Sequence, residues 1–268
     1  MSRFDKRAYF DSISADYADY VVSPYELGVE MPLAEDVARW LKAGGVQGTA
    51  VDFGCGAGQS FEFIAGRAGR ALALDFSAGM LLETARRIRG NVGREFDDDL
   101  LDEARLLAWL ADPPRCESKF FQGDLHRLEA LKGRVDLAIA SNSLCDDDLA
   151  SSLNMFAQVA QTLSCSGTLL GLFPSWDATV YAMQLETRIA PASLDLGRLD
   201  DEGVYELDGL RQKFWRPEEI EQACAANGLR IEALEKIYFP WSAMAESGWG
   251  DFEGEDEMWD WYLRASRD

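Results

Sequence analysis

The stretch Ala50–Ser60 reads AVDFGCGAGQS, an apolar run of strand character followed by glycine at every second position: Gly54, Gly56 and Gly58. Glycine is selected where a backbone must turn sharply or let another group approach closely. A buried strand feeding such a loop belongs to an open parallel sheet, in which ligands bind beyond the carboxyl ends of the strands. The flanking sequence agrees. RALALDFS forms a second strand after SFEFIAGRA, the expected start of a helix, and AGMLLETARRIR is a helix with Leu81, Ala85 and Ile88 aligned. This alternation of strand and helix predicts parallel crossover units, an α/β fold with helices on both faces of the sheet.

The spacing of the glycines separates the ligand classes such a loop can serve. A dinucleotide fingerprint requires Gly or Ala one position beyond Gly58, where this chain has Gln59, and no Gly-Lys-Ser/Thr follows to make a phosphate-binding P-loop. An acidic residue at the tip of the next strand, about 20 residues on, is the expected partner of ribose hydroxyls. Asp75 ends ALALD, 17 residues after Gly58.

With Asp52 inside the first strand, QGDL at 122–125 and VDLAIASNS at 135–143, the glycine loop and Asp75 resemble the ordered motifs of the class I S-adenosylmethionine-dependent methyltransferases, small-molecule type. The resemblance spans roughly residues 33–173, and WRPEEIEQACAANGLRIEALE at 215–235 is similar to the helix and strand closing that family's sheet. It implies a Rossmann-like, seven-stranded, mostly parallel sheet and S-adenosyl-L-methionine as cofactor. It further implies that Asp52, Gly54, Cys55, Gly56 and Gly58 form the cofactor loop, that Asp75 holds the ribose, and that Asp124 and Leu125 meet the adenine with Phe76 and Met80 on its faces. Asn142, flanked by Ser141 and Ser143, falls where the family contacts the acceptor or the cofactor's amino-acid end. Tyr17, Tyr20 and Tyr25 resemble a cover folded over the cofactor, while Trp176 and Tyr181 fall in the acceptor-pocket region. Asn142, Tyr181 and His126 are the candidate catalytic residues.

The expected domain organisation is an N-terminal lid at 1–30, a cofactor-binding domain at 31–240 and an aromatic C-terminal extension at 241–268 packed on the same domain. Within the domain, 90–119 reads as an insertion with Leu100, Ala104, Leu107 and Ala111 on one helical face. Residues 176–210 read as a helix and a polar connection, and Trp259, Tyr262 and Leu263 fit a helical face in the tail.

Composition excludes several functions. Forty-seven acidic residues against 26 Lys and Arg give a net charge of −21, a field that repels phosphodiester backbones and argues against a nucleic-acid partner. One histidine, His126, excludes a multi-histidine metal centre, and five cysteines without a C-x-x-C pair indicate neither a zinc site nor a disulfide framework. Asp146, Asp147 and Asp148 read as helix-start carboxylates rather than metal ligands. No apolar run spans a membrane and no signal-peptide core opens the chain, so the expected compartment is cytoplasmic.

These readings converge on a transferase that methylates a small molecule, in the manner of secondary metabolism; a homodimer is compatible with them. Two alternatives stay open. One keeps the cofactor but attacks its aminobutyrate arm, by azetidine-2-carboxylate-type cyclisation or aminocarboxypropyl transfer, releasing methylthioadenosine. The other is a non-catalytic subunit that binds the cofactor and a partner chain.

Overall fold

The computed structural model describes residues 4–17, 32–92, 100–189, 198–207, 209–240 and 256–267. Among these, an eight-stranded sheet in the order β10-β11-β6-β5-β1-β2-β4-β3 forms the centre. Its strands are β1 (Thr49–Phe53), β2 (Arg70–Asp75), β3 (Leu100–Leu101), β4 (Glu117–Gln122), β5 (Val135–Ser141), β6 (Leu163–Pro174), β10 (Leu229–Phe239) and β11 (Met258–Arg267). Pairing is parallel from β6 across to β3; the β6–β11 and β11–β10 pairs are antiparallel. β1 lies between β5 and β2, so the glycine loop emerges at the middle of the sheet's carboxyl edge.

Both faces of the sheet are covered, and the alternation along β1 shows how. Val51 and Phe53 point into one core with Leu72, Leu74 and Phe173, while Ala50 joins the other with Leu172 and Tyr262. The first core is closed by α4 (Glu103–Ala111), α5 (Leu149–Thr162) and α7 (Pro217–Ala226). The second is closed by α2 (Pro32–Lys42), α3 (Ala78–Val92) and α6 (Trp176–Ile189). As expected, Leu81, Ala85 and Ile88 form the buried stripe of α3. At the amino end of the chain α1 (Lys6–Ile13), capped by the Asp5 carboxylate, lies across the carboxyl edge of the sheet.

Five sequence expectations are corrected. The tail is strand β11 rather than a helix: Trp261, Leu263 and Ala265 enter one core and Tyr262 the other, so it reads as a near-continuous apolar run because both its faces are covered. It is therefore an interior strand of the sheet, not an extension packed outside it. The sheet has eight strands rather than seven because Leu100–Leu101 adds a two-residue edge beyond β4. The helix that follows buries Leu106, Trp109 and Leu110, whereas Leu107, expected inside, is exposed. SFEFIAGRA forms only a single 3₁₀ turn at Phe61–Phe63, since Gly66 turns the chain with φ +65° and β2 begins at Arg70.

The fifth correction concerns 176–210. After α6 the chain makes a three-stranded antiparallel sheet of β7 (Arg198–Leu199), β8 (Val204–Leu207) and β9 (Leu210–Lys213). Lys213 anchors it. Its fully buried ammonium donates to the carbonyls of Glu202 and Phe214 and to the Glu219 carboxylate at 2.7–2.8 Å, so a buried charge is paired and hydrogen-bonded.

Candidate active site

The glycine loop is shaped by what packs against it. Gly54 has φ +70°, and a Cβ there would stand 2.4 Å from the Ser143 Cβ on the neighbouring strand end; at Gly58, φ +89°, a Cβ would lie 2.8 Å from the Thr84 methyl of α3. Side chains at either position would prise the loop from β5 or from α3. Between them the Gly56 N–H donates to the Asp75 carboxylate (3.0 Å), whose other oxygen accepts from the Ser77 N–H (2.9 Å). Burial raises the Asp75 carboxyl to about 6 despite these bonds, which favour the charged form.

A cavity of about 360 Å³ opens at this carboxyl edge, within the range of small-molecule sites. Of the expected cofactor residues, Tyr17, Gly54, Gly56, Asp75, Phe76, Met80, Asp124, Leu125 and Asn142 line it. Asp52, Cys55 and Gly58 do not. Asp52 is fully buried beneath the loop, one oxygen accepting from the Ser60 hydroxyl (2.6 Å) and the other unpartnered; burial raises it to about 7. The Cys55 sulfur turns to Thr84 (3.5 Å), and burial, reinforced by Asp75 and Asp52, pushes its thiol well up. Both support the loop from behind. Tyr25 and Tyr20 lie outside the described residues.

Among the candidate catalytic residues, Tyr181 is displaced. Its hydroxyl accepts the Asp256 N–H (3.1 Å) in a separate open recess beside Lys236 and Trp259, because α6 runs behind β11 rather than over the cavity. Trp176 likewise faces elsewhere, its ring under the Arg216 guanidinium at 4.1 Å. His126 lines the cavity, but both ring nitrogens are engaged: Nδ1 accepts the Asn154 amide (3.1 Å), leaving Nε2–H to donate to Asp146 (2.9 Å). Asp146 also accepts from Ser151 and from Lys6 (3.0 Å). Burial works against its charge, yet the Ser151 and Lys6 hydrogen bonds, the Lys6 charge and His126 hold its carboxyl well below the usual range. Asp148 caps α5, Asp147 pairs with Lys6 (2.7 Å), and no metal-binding cluster occurs among the described residues.

An N-terminal lid was expected at 1–30, but Lys6, Arg7, Phe10 and Asp11 of α1 were not among the expected site residues. Lys6, Arg7 and Phe10 line the cavity, Phe10 meeting the Phe76 ring edge-on at 5.6 Å. Asp11 receives the Ser77 hydroxyl (2.5 Å) and the Gly79 N–H (3.0 Å) at the start of α3. α1 is thus fastened on one rim by Asp11 and on the other by Lys6. The aspartates at 11 and 146 carried no motif; only the amphipathic pattern of residues 4–17 could have pointed to this helix. Leu210 and Gln212 of β9, from the segment read as a connection, complete the far wall.

The chain has the class I methyltransferase fold. No protein-family model matches the sequence, and no curated protein matches it. Solved structures do. Magnesium protoporphyrin IX methyltransferase from Synechocystis, with S-adenosylhomocysteine bound, is similar over 98% of both chains at 16% identity, TM-score 0.62. Geranyl diphosphate C-methyltransferase from Streptomyces coelicolor is similar over 88% of this chain and 78% of that one at 17% identity, TM-score 0.55. A methyltransferase from Methanosarcina mazei is similar over 82% and 92% at 12% identity, TM-score 0.53. No helix among the described residues is long and apolar enough to cross a membrane.

Proposed function

We propose that this chain is an S-adenosylmethionine-dependent methyltransferase acting on a small metabolite. The observation that carries the reading is the convergence, on one cavity, of the bare Gly54–Gly56 backbone and the Asp75 carboxylate, one strand apart. The residues present fit the cofactor. Gly54 and Gly56 present bare backbone to the cavity, the Ser143 hydroxyl beside Gly54 is buried without a partner, and Phe76, Met80 and Leu125 give apolar surface for a purine. The structural neighbours add support, since their described forms hold S-adenosylmethionine, S-adenosylhomocysteine or sinefungin and they act on small molecules.

When bound, S-adenosylmethionine supplies an electrophilic methyl group on a sulphonium. The chain's part is binding, alignment and exclusion of water. Asp75 accepts the ribose hydroxyls; Asp124 and Leu125, with Phe76 and Met80, enclose the base. Phe10 of α1 and Tyr17, four residues past its end, cover the cavity. His126, saturated at both nitrogens, holds Asp146 in place instead of taking a proton, and Asp146, pinned by Lys6, is too weak a base to remove one. This arrangement suits an acceptor atom that is already nucleophilic.

Calorimetric titration tests the reading. Saturable binding of S-adenosylmethionine with none of NAD supports it, and the reverse result rejects it. Mass spectrometry of turned-over samples then distinguishes the bond broken: S-adenosylhomocysteine reports methyl loss, methylthioadenosine reports attack on the aminobutyrate arm, and binding without either product indicates a partner subunit.

A further inference from the structure

The carboxylate of Asp260 has no part in the scheme above, yet it stands at the sheet edge beside the cavity. It belongs to the tail strand β11, which runs antiparallel into the sheet, so Asp260 pairs with Pro174 at the carboxyl end of β6. From there it accepts the Asn142 side-chain amide (3.2 Å) and the Ser175 N–H (3.3 Å). Asn142, the first residue beyond β5, is held at φ +50° with its own N–H donated to the Leu172 carbonyl (2.8 Å). Asparagine tolerates that left-handed conformation better than most residues.

The Asn142 side-chain nitrogen is the atom facing the Asp260 carboxyl, at 3.2 Å, and that group in its ionised form only accepts hydrogen bonds, so it holds the amide by its NH₂. The amide carbonyl is then the end left over, and among the described residues nothing donates to it. Asn142 lines the cavity, and the carbonyl is the end of its amide that Asp260 does not hold. β5 lies next to β1 in the sheet, on the side opposite β2 and β4. If the proposed cofactor had its ribose at Asp75 and its base at Asp124, the β5 side would be left for its amino-acid arm, which carries an α-ammonium and an α-carboxylate; of the two only the ammonium is a donor.

We propose that Asp260 is a positioning residue: it fixes the polarity of the Asn142 amide so that its carbonyl faces the cavity and selects a ligand carrying a cationic donor at that end. This rests on the proposed cofactor, and it gives the tail strand a part in the site.

Calorimetry with two probes tests it: S-adenosylmethionine, which carries the ammonium, and methylthioadenosine, which lacks the amino-acid arm. Asp260→Asn keeps an acceptor for Ser175 but lets the Asn142 amide turn over. Its expected effect is about tenfold weaker binding of S-adenosylmethionine, the size of one hydrogen bond to a charged group, with methylthioadenosine binding within about twofold of wild type. Asn142→Gly removes the amide at a backbone angle glycine accepts, and should show the same selective loss. In that background Asp260→Asn should have no further effect, because Asp260 acts through the amide. Equal losses for both probes, no loss for either, or an undiminished effect of Asp260→Asn in the Asn142→Gly background would overturn the proposal. Wild-type protein that binds neither probe would overturn the cofactor reading along with it.

Discussion

The Asp75 carboxylate and the Gly56 N–H are joined by a 3.0 Å hydrogen bond that spans two adjacent strands, so the acid at the tip of β2 also braces the loop after β1. Its second oxygen is tied to Ser77, where α3 starts. One side chain therefore sets the distance between the loop and the helix, and both flank the cavity.

Replacing Asp75 should cost binding more than folding. Asp75→Ala removes the acceptor assigned to the ribose, and the expected loss of S-adenosylmethionine affinity is about 1–3 kcal/mol, the usual scale for hydrogen bonds to a charged group. Calorimetry reads it directly, and unchanged affinity would remove Asp75 from the site.

Gly54→Ala tests the cradle rather than the charge. A methyl there would stand 2.4 Å from the Ser143 Cβ at a φ that L residues rarely adopt, and backbone or strand end must shift. The expected result is loss of cofactor binding with a lowered melting temperature, the strain being on the order of 1–3 kcal/mol. Thermal denaturation with and without S-adenosylmethionine would show both effects.

Much of this was legible beforehand because it depends on local pattern. Gly54, Gly56 and Asp75 were marked by spacing, while Phe76, Met80, Asp124 and Leu125 were implied by the family resemblance; all of them line the one cavity. What escaped depends on long-range pairing. Trp259, Tyr262 and Leu263 look helical by spacing, but β11 is covered on both faces, and periodicity does not separate a doubly buried strand from a helix. Tyr181 was placed by the family resemblance, in its acceptor-pocket region, whereas the course of α6 behind β11 is fixed by tertiary packing. Asp11, Asp146 and Asp260 are aspartates in a chain crowded with them. Their roles come from partners 66, 140 and 118 residues away in sequence.

The fastening of α1 gives a third prediction. Asp11→Ala removes both bonds to the start of α3, and Lys6→Met releases the ion pairs to Asp146 and Asp147 on the opposite rim. Neither residue is part of the buried core, so each substitution should shift the melting temperature by only a few degrees, as expected for about 1 kcal/mol. If α1 covers the cavity in solution, each should also raise the cofactor dissociation rate several-fold, and stopped-flow displacement measures it. Rates unchanged in both variants would remove α1 from the binding site.

Asp52 predicts a pH dependence with a definite sign. Its carboxyl is raised by burial to about 7 from an ordinary value of 3.8, so the native state holds a proton that the unfolded chain has already released in the interval between. The contribution to stability is fully present below 3.8 and is lost as pH rises through about 7, on the order of a few kcal/mol at about 1.4 kcal/mol per unit. Asp75 and Asp260, raised to about 6 and about 7, act in the same direction, and so does the mounting negative charge of an acidic chain. The variant isolates one contributor. Asp52→Asn cannot ionise yet keeps an acceptor for Ser60, so its stability relative to wild type should rise between pH 4 and pH 8. Urea denaturation at both pH values measures the difference; a constant offset would show that Asp52 is ionised in the folded protein throughout.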